Sequence, residues 1–241
     1  MDITTRQIDL LKAIVQEYVS STSPVGSQTL VEKYNLKVSP ATVRNEMAEL
    51  IEKGFLEMKH TSSGRVPTTI GFRFFVDQLM EEAELPILQE VAVKQKLWPS
   101  RFEFEKMLRQ AALALADLTK KLAITTTSDG HMFHAGSVNV LEQPEFWEID
   151  VAKSALSLLD NHEILHALFD KTHSDRDVKV LIGDEIGLNN LHTCSLVFAP
   201  YIAGRRSGAV CILGPARMEY DQIVPAVRYT KGLLEELGAN W

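Results

Sequence analysis

Two segments of the chain hold side chains whose types and spacing could do chemistry. The first, His162-Glu163-Ile164-Leu165-His166, matches the zinc-peptidase pattern in which two histidines bind the metal and the glutamate acts as base. The apolar residues of this helical segment are Ile164, Leu165, Leu168 and Phe169. They turn Glu163 outward and leave both histidines at the edges, and only the distant Glu185 offers a third ligand. We therefore expect no catalytic residue, metal or cofactor, and a zinc hydrolase is the least favoured alternative.

The second segment, from Ser39 onward, carries side chains that could bind DNA bases. Its outward positions are small or polar: Ala41, Thr42, Asn45, Ala48 and Glu49, with Arg44 on the flank. Small side chains let a helix enter the major groove, and an asparagine can bind adenine through two hydrogen bonds. The alternative is that these are ordinary solvent-facing residues, because polar side chains are common on any surface.

Three helices are predicted to position this face. Thr4 and Gln7 form a capping-box pattern before an amphipathic helix over residues 5–19. Ser27 is a candidate cap for a short second helix. Ser39 followed by Pro40 is a strong helix start, and this third helix should run to Lys53 with the apolar stripe Val43, Met47, Leu50 and Ile51. Two short helices joined by a tight turn predict a helix-turn-helix.

A β-hairpin is predicted directly after the third helix. Residues 55–58 alternate like a strand, residues 60–64 are rich in turn formers, and residues 65–67 can return as a second strand. Such a hairpin is a wing, with Lys59 and Arg65 near its tip for phosphate or minor-groove contact. A solvated surface loop is the alternative. The predicted DNA-binding residues are Ser39, Ala41, Thr42, Arg44, Asn45, Lys59, His60, Ser62 and Arg65.

The rest of the chain is predicted to be a separate sheet domain. We assign residues 1–80 to the winged helix-turn-helix, 81–101 to a linker containing Pro86 and Pro99, and 102–241 to an α+β domain of strands and terminal helices. Its first helix, over residues 102–122, carries apolar residues at steps of four and three: Phe104, Leu108, Ala111, Leu115, Leu118 and Leu122. This heptad seam predicts dimerisation, or else packing of the helix on its own sheet.

Composition and charge narrow the functional class. The net charge is −7, but residues 1–75 hold nine Lys/Arg and eight Asp/Glu, so the acidic excess lies in the remainder of the chain. That acidic remainder is not expected to contact DNA phosphates. We find no signal-peptide pattern and no apolar run long enough to span a bilayer. Cys194 and Cys211 lie in apolar runs and are expected to be reduced core thiols of a cytoplasmic protein.

Several longer strings carry a family resemblance. They are Pro24 to Ser27, Ser39 to Leu50, His60 to Thr68, Gly71 to Asp77, Leu141 to Phe146, Cys194 to Val197 and Gly214 to Tyr220. With them the chain resembles the heat-inducible transcription repressor family HrcA over most of its length. The resemblance implies a GAF-type C-terminal domain and a repressor of chaperone genes that binds an inverted-repeat operator as a dimer. It also implies that a chaperonin keeps the repressor active until heat-unfolded proteins compete for that chaperonin.

One departure from the family is visible. Its members are longer and carry an additional dimerising segment before the stretch that matches from Leu141, and most of that segment is absent here. Dimerisation must then use another surface.

A second function also stays open, a metabolite-sensing repressor with a small ligand in the GAF-like domain, since such sheets often form pockets. The loop Gly204-Arg205-Arg206 could meet an anionic ligand, or it could be an ordinary charged turn.

Overall fold

The computed structural model of this chain describes residues 3–58, 64–81, 83–172 and 176–239. The chain divides into two compact units, residues 1–81 and 82–241. None of the helices in the described parts combines the length and the apolar character that are needed to cross a bilayer.

The first unit contains helices packed around a small antiparallel strand pair. Its elements are α1 (Thr5–Ser21), α2 (Ser27–Lys33), α3 (Pro40–Glu52), β1 (Leu56–Glu57), β2 (Val66–Pro67) and α4 (Thr69–Phe74), the last continuing as a π-helical turn over Phe75–Leu79. The core is made of residues such as Leu11, Ile14, Leu30, Leu50 and Leu56. This is the predicted winged helix-turn-helix.

Polar caps set where these helices begin. The Thr4 hydroxyl accepts from the Gln7 amide and the Gln7 side chain accepts from the Thr4 amide, which is the predicted capping box. Ser39 caps α3 and Thr68 caps α4. The expectation for Ser27 is wrong: the N-cap of α2 is Gly26, and Ser27 is the first helical residue.

The second unit is a five-stranded antiparallel sheet between two layers of helices. Its elements are α5 (Ile87–Leu97), α6 (Phe104–Thr119), β3 (Leu122–Thr127), β4 (Met132–Ala135), α7 (Ser137–Leu141), α8 (Ile149–Ser157), α9 (His162–Lys171), β5 (Lys179–Ile182), β6 (Cys194–Ala203), β7 (Arg206–Pro215) and α10 (Tyr220–Gly238). The strand order is β4-β3-β7-β6-β5. The chain is therefore α+β, with a GAF-like sheet domain after the winged helix, as predicted.

The two faces of the sheet follow the alternation of its strands. Ile124, Cys211 and Phe198 are register neighbours and share one core with α7, α8 and α9. The opposite face packs on α6 and α10, where the Thr125 hydroxyl donates to the Leu108 carbonyl over 3.1 Å. Helices on both faces bury β3 throughout and β7 from Ala209 to Pro215, which explains the apolar run in that part of β7.

Two sequence expectations for this unit are corrected. Residues 81–101 are not an irregular linker throughout, because α5 occupies Ile87–Leu97. Pro86 lies just before that helix and Pro99 lies in the first turn of a short 3-10 helix, positions where proline is tolerated. The helix predicted over 102–122 ends at Thr119, where Lys120 adopts a left-handed conformation and turns the chain into β3.

Candidate nucleic-acid interface

Helix α3 presents the predicted polar face to solvent. Val43, Met47 and Leu50 are buried, whereas Ala41, Arg44, Asn45, Ala48 and Glu49 are exposed and Thr42 is half-buried. The Asn45 side chain makes no hydrogen bond within the described part of the chain, so its amide group is available to a base edge.

The cap of α3 involves two of the predicted DNA-binding residues. The Ser39 hydroxyl accepts from the Thr42 amide over 3.1 Å and lies 2.9 Å from the Thr42 hydroxyl. The two side chains therefore hold each other at the start of the helix. The first amides of a helix favour negative charge, so this end suits a phosphate as well as a base.

A polar network that the sequence did not reveal fixes α3 against α1. The Gln7 side-chain amide donates to Glu46 over 2.9 Å and to Glu49 over 2.6 Å, and Lys53 donates to the Gln7 carbonyl oxygen over 2.7 Å. Arg6 forms an ion pair with Glu46. Gln7 and Glu46 are both buried, so the orientation of α3 depends on hydrogen bonds as well as on its apolar stripe. The sequence evidence for such a network was Glu46, a charged residue that falls between Val43 and Met47 on the buried side of the helix.

The base of the wing is ordered by strand pairing. Leu56 pairs with Pro67 and Glu57 with Val66, and Arg65 exchanges two backbone hydrogen bonds of 2.8 and 2.9 Å with Val25. A Cβ on Gly64 would lie 2.5 Å from the Val25 carbonyl oxygen, which explains a glycine beside this bridge. Three predicted contact residues, Lys59, His60 and Ser62, lie outside the described residues.

The predicted dimerisation seam is buried inside the chain's own fold. Leu108, Ala111 and Leu115 are fully buried, Phe104 is nearly so, Leu118 is half-buried, and Leu122 lies in β3 rather than on the helix. Helix α6 packs on β3, β4, α5 and α10. These side chains therefore cannot face a second copy, and the dimer seam on α6 is wrong. The alternative, packing of this helix on its own sheet, is what the structure has.

The two histidines of the zinc-like motif contact other groups of the protein. His162 Nε2 lies 3.0 Å from the Thr127 carbonyl oxygen, and His166 Nδ1 lies 2.9 Å from an Asp170 carboxylate oxygen. Glu163 is exposed, and the N-cap of α9 is Asn161. The part of the chain with described coordinates contains no group of three His, Cys, Asp or Glu residues suited to a metal.

Both cysteines are buried free thiols of the sheet. Burial raises the pKa of Cys194 to about 12 and also raises the pKa of Cys211. At neutral pH both therefore remain protonated, so neither is suited to act as a nucleophile or a metal ligand.

A cavity of about 450 Å³ in the second unit is lined by two arginines held on aromatic rings. The Arg206 guanidinium lies 4.6 Å from the Phe104 ring centroid, and the Arg109 guanidinium lies 5.5 Å from that of Phe133. Neither arginine has a carboxylate partner among the residues with described positions. The neighbouring Glu103 is paired with Lys106 over 3.1 Å. The Arg109 and Arg206 guanidinium groups are therefore available to an anion.

Comparisons with known proteins agree with the resemblance in the sequence. The family described as "HrcA protein C terminal domain" matches residues 74–224. The heat-inducible transcription repressor HrcA of Carboxydothermus hydrogenoformans is 27% identical, with 99% of each chain covered. The protein of the same name from Desulforudis audaxviator is also 27% identical, over 95% of this chain and 96% of that one.

The same comparisons bear on the fold and on length. A solved structure titled "Crystal structure of a hypothetical protein at 2.2 A resolution" superposes with a TM-score of 0.81 at 20% identity, covering 99% of both chains, which supports the fold. The Carboxydothermus alignment runs over 339 positions, whereas 99% of this chain is about 239 residues, so about 100 positions have no residue here. This chain therefore lacks residues that the longer relative has.

Proposed function

This chain belongs to the HrcA family of heat-inducible transcription repressors, and from that premise we propose that it acts as a dimer on an inverted-repeat operator of heat-shock genes. The exposed face of α3 is the single observation that carries this proposal. In our proposal Asn45 and Thr42 contact base edges, Ser39, Ala41 and Arg44 position the helix in the major groove, and Arg65 contacts the backbone from the wing. Lys59, His60 and Ser62 belong to the same proposal through the sequence of the wing.

The dimer is part of the proposal for a geometric reason. One winged helix covers a short stretch of DNA, and two copies related by a two-fold axis match an inverted repeat and multiply the specificity. The acidic second unit of each copy, which carries most of the negative charge, would stay away from the phosphates. We expect the protein in the cytoplasm, with no membrane partner.

Release on heat stress is the regulatory part of the proposal. The relatives are named heat-inducible repressors, which supports loss of operator binding at high temperature. We propose that a chaperonin maintains the binding-competent fold of this chain, and that heat-unfolded proteins draw the chaperonin away. Adding purified chaperonin to heated repressor should then restore operator binding. If binding is not restored, the chaperonin part of the proposal is wrong.

Mapping of bound sites across the genome tests the function directly. We expect bound sites upstream of heat-shock genes, a shared inverted repeat within them, and a loss of occupancy after a temperature rise. Purified protein should bind that repeat far more tightly than a duplex that carries a single half-site. Bound sites without any shared repeat would contradict the proposal.

A second role, sensing of a small anion, is favoured by the cavity with two unpaired arginines. Two guanidinium groups held on rings present their N–H donors to a carboxylate or phosphate. We propose that inorganic phosphate or succinate raises the melting temperature of the second unit, and that Arg206→Ala removes this effect. Arg205→Ala is the matched control, because Arg205 is exposed in the same turn and does not line the cavity. Equal shifts in both variants would mean non-specific binding.

A further inference from the structure

Helix α5 has apolar residues on two opposite faces. Val93 and Leu97 face inward and are buried. On the other side Ile87 is 77% exposed, Leu88 85% and Val91 45%. A surface helix normally carries one apolar stripe and a polar opposite face, and a helix that is apolar on both sides is normally buried on both. The outer face of α5 therefore has the character of an interface.

The exposed apolar surface continues beyond the end of the helix. Trp98 and Phe102 are 46% and 76% exposed, and together with Leu88, Val91 and Gln95 they fall at steps of three and four residues. The Arg101 guanidinium lies 4.6 Å from the Trp98 ring centroid and 4.3 Å from that of Phe102, so it holds both rings in place. We call Ile87, Leu88, Val91, Trp98 and Phe102 the α5 stripe.

Charge is distributed unequally between the two ends of this stripe. The segment before α5 carries Glu81, Glu82 and Glu84 without a cation, and residues 94–101 carry Lys94, Lys96 and Arg101 without an acid. Lys94 and Lys96 have carboxylate partners in the second unit, Glu236 and Asp117. Within the described ranges Glu84 and Arg101 have no partner of opposite charge. Each end of the stripe therefore has one charged residue without an ion-pair partner in the described ranges, an acid at the start and a cation at the end.

We propose that the α5 stripe packs against the same stripe of a second copy, with the two helices antiparallel about a two-fold axis. A two-fold pairing presents the same patch on both subunits, so Glu84 of each copy would approach Arg101 of the other. Five large side chains at least about half exposed offer several hundred Å² of apolar surface, the size of patch that marks an interaction site. This inference rests on the proposed function, which requires a dimer.

The other exposed apolar patch fits a second copy less well. It contains Val138, Leu141, Trp147 and Ile149, on the opposite side of the sheet. The exposed charged residues next to it in sequence are the acids Glu142, Glu148 and Asp150 and the base Lys153, so acids are in excess. A two-fold contact there would bring like charges together, which disfavours association.

Sedimentation of the full chain without DNA tests the proposal. We expect a wild-type dimer, and at least about a 100-fold weaker dimer for Leu88→Glu, which places one carboxylate from each copy in the apolar contact. The matched control is Leu141→Glu, a leucine that is 56% exposed in the other patch, and it should remain dimeric. Circular dichroism should show both variants folded, because both leucines are exposed.

Charge reversal tests the antiparallel arrangement separately. Glu84→Arg and Arg101→Glu should each weaken the homodimer by about tenfold, because each creates two like-charge contacts. Mixing the two variants should restore a heterodimer, in which both contacts again join opposite charges. Failure of the mixture to associate would overturn the antiparallel pairing.

The outcomes separate this inference from the proposed function. Leu88→Glu should still bind a single half-site and lose cooperative binding to the inverted repeat. A Leu88→Glu protein that stays dimeric, a wild-type protein that is monomeric, or a monomeric Leu141→Glu protein would each overturn the α5 stripe as the dimer contact. A wild-type protein that is dimeric but binds no heat-shock operator would overturn the proposed function and leave the stripe standing.

Discussion

Helices α3 and α6 both carry regular apolar stripes, but they bury very different fractions of their circumference. At about 100° per residue, the buried positions of α3 span an arc of about 100°; they are Val43, Glu46, Met47 and Leu50. Those of α6 span an arc of about 200°; they are Phe104, Met107, Leu108, Ala111, Ala112, Ala114, Leu115 and Ala116. A helix with a narrow buried arc has most of its surface exposed and able to bind a partner. A helix with a broad buried arc is covered by neighbours on several sides.

The difference extends to what holds each helix in place. Helix α6 is held by close packing on strands and helices of the second unit. Helix α3 is held by its short apolar stripe together with the Gln7 network, in which one buried amide joins Glu46, Glu49 and Lys53. Four substitutions test this contrast, from the largest expected effect to the smallest.

Leu115→Glu should have the largest effect, because it places a carboxylate where the side chain is fully buried. Loss of the packed leucine together with an unpaired buried charge should cost at least about 4 kcal/mol of unfolding free energy. Chemical denaturation followed by circular dichroism should show the second unit largely unfolded.

Leu113→Glu is the matched control for this prediction. Leu113 lies two residues away on α6 and is 40% exposed, so its replacement should change the unfolding free energy by about 0.5 kcal/mol or less. A folded Leu115→Glu protein would mean that α6 is not held by its apolar arc, and the contrast with α3 would break.

The sequence contained enough information to avoid the error on α6. The heptad at Phe104, Leu108, Ala111 and Leu115 is real, but Met107, Ala112, Ala114 and Ala116 widen the apolar side far beyond a two-position seam. Helix α5 shows the pattern of an interface helix, because Ile87, Leu88 and Val91 lie on the face opposite Val93 and Leu97. Two prolines favoured the prediction of a linker there, although proline at the start of a helix is compatible with it.

Gln7→Ala should have the second largest effect and should act on α3. It removes the hydrogen bonds to Glu46 and Glu49 and the acceptor for Lys53. Among the described residues, the buried Glu46 carboxylate then keeps Arg6 as its partner. Loss of these buried contacts should lower the unfolding free energy of the first unit by about 2–3 kcal/mol.

Gln28→Ala is the control for this change, because Gln28 is an exposed glutamine bonded to Glu32 on α2. Its effect should stay within about 0.5 kcal/mol. If Gln7→Ala were equally neutral, α3 would be held by its apolar stripe alone, as α6 is.

Asn45→Ala should leave folding intact and weaken recognition. Asn45 is exposed and alanine favours helix, so the unfolding free energy should not fall. Binding to the operator should weaken by about 1–3 kcal/mol, with little loss on a random duplex of the same length. Equal weakening on both duplexes, measured by fluorescence anisotropy, would show that Asn45 reads no base.

The parts of the candidate interface that depend on residues near in sequence could be predicted, whereas contacts between residues distant in sequence could not. The caps at Thr4 and Ser39 and the outward face of α3 follow from residue type and helical spacing. The Gln7 network joins residues about 40 positions apart, and spacing along one helix carries no information on such a contact. The bridge between Val25 and Arg65 was missed for the same reason.

Arg65→Ala should give the smallest effect, because it removes one cation from a binding surface of many contacts. The backbone of Arg65 is fixed by its two hydrogen bonds to Val25, and these do not depend on the side chain. The variant should weaken binding to operator and random DNA alike, and circular dichroism should confirm that it is folded. Loss of one phosphate contact should lower the slope of log affinity against log salt by about one unit. Arg73→Ala, which removes an arginine paired with Asp77 on α4, should leave the slope unchanged. An unchanged slope for Arg65→Ala would mean that Arg65 contacts no phosphate. A loss of affinity for the operator alone would mean that Arg65 contacts the bases or the groove, as α3 does.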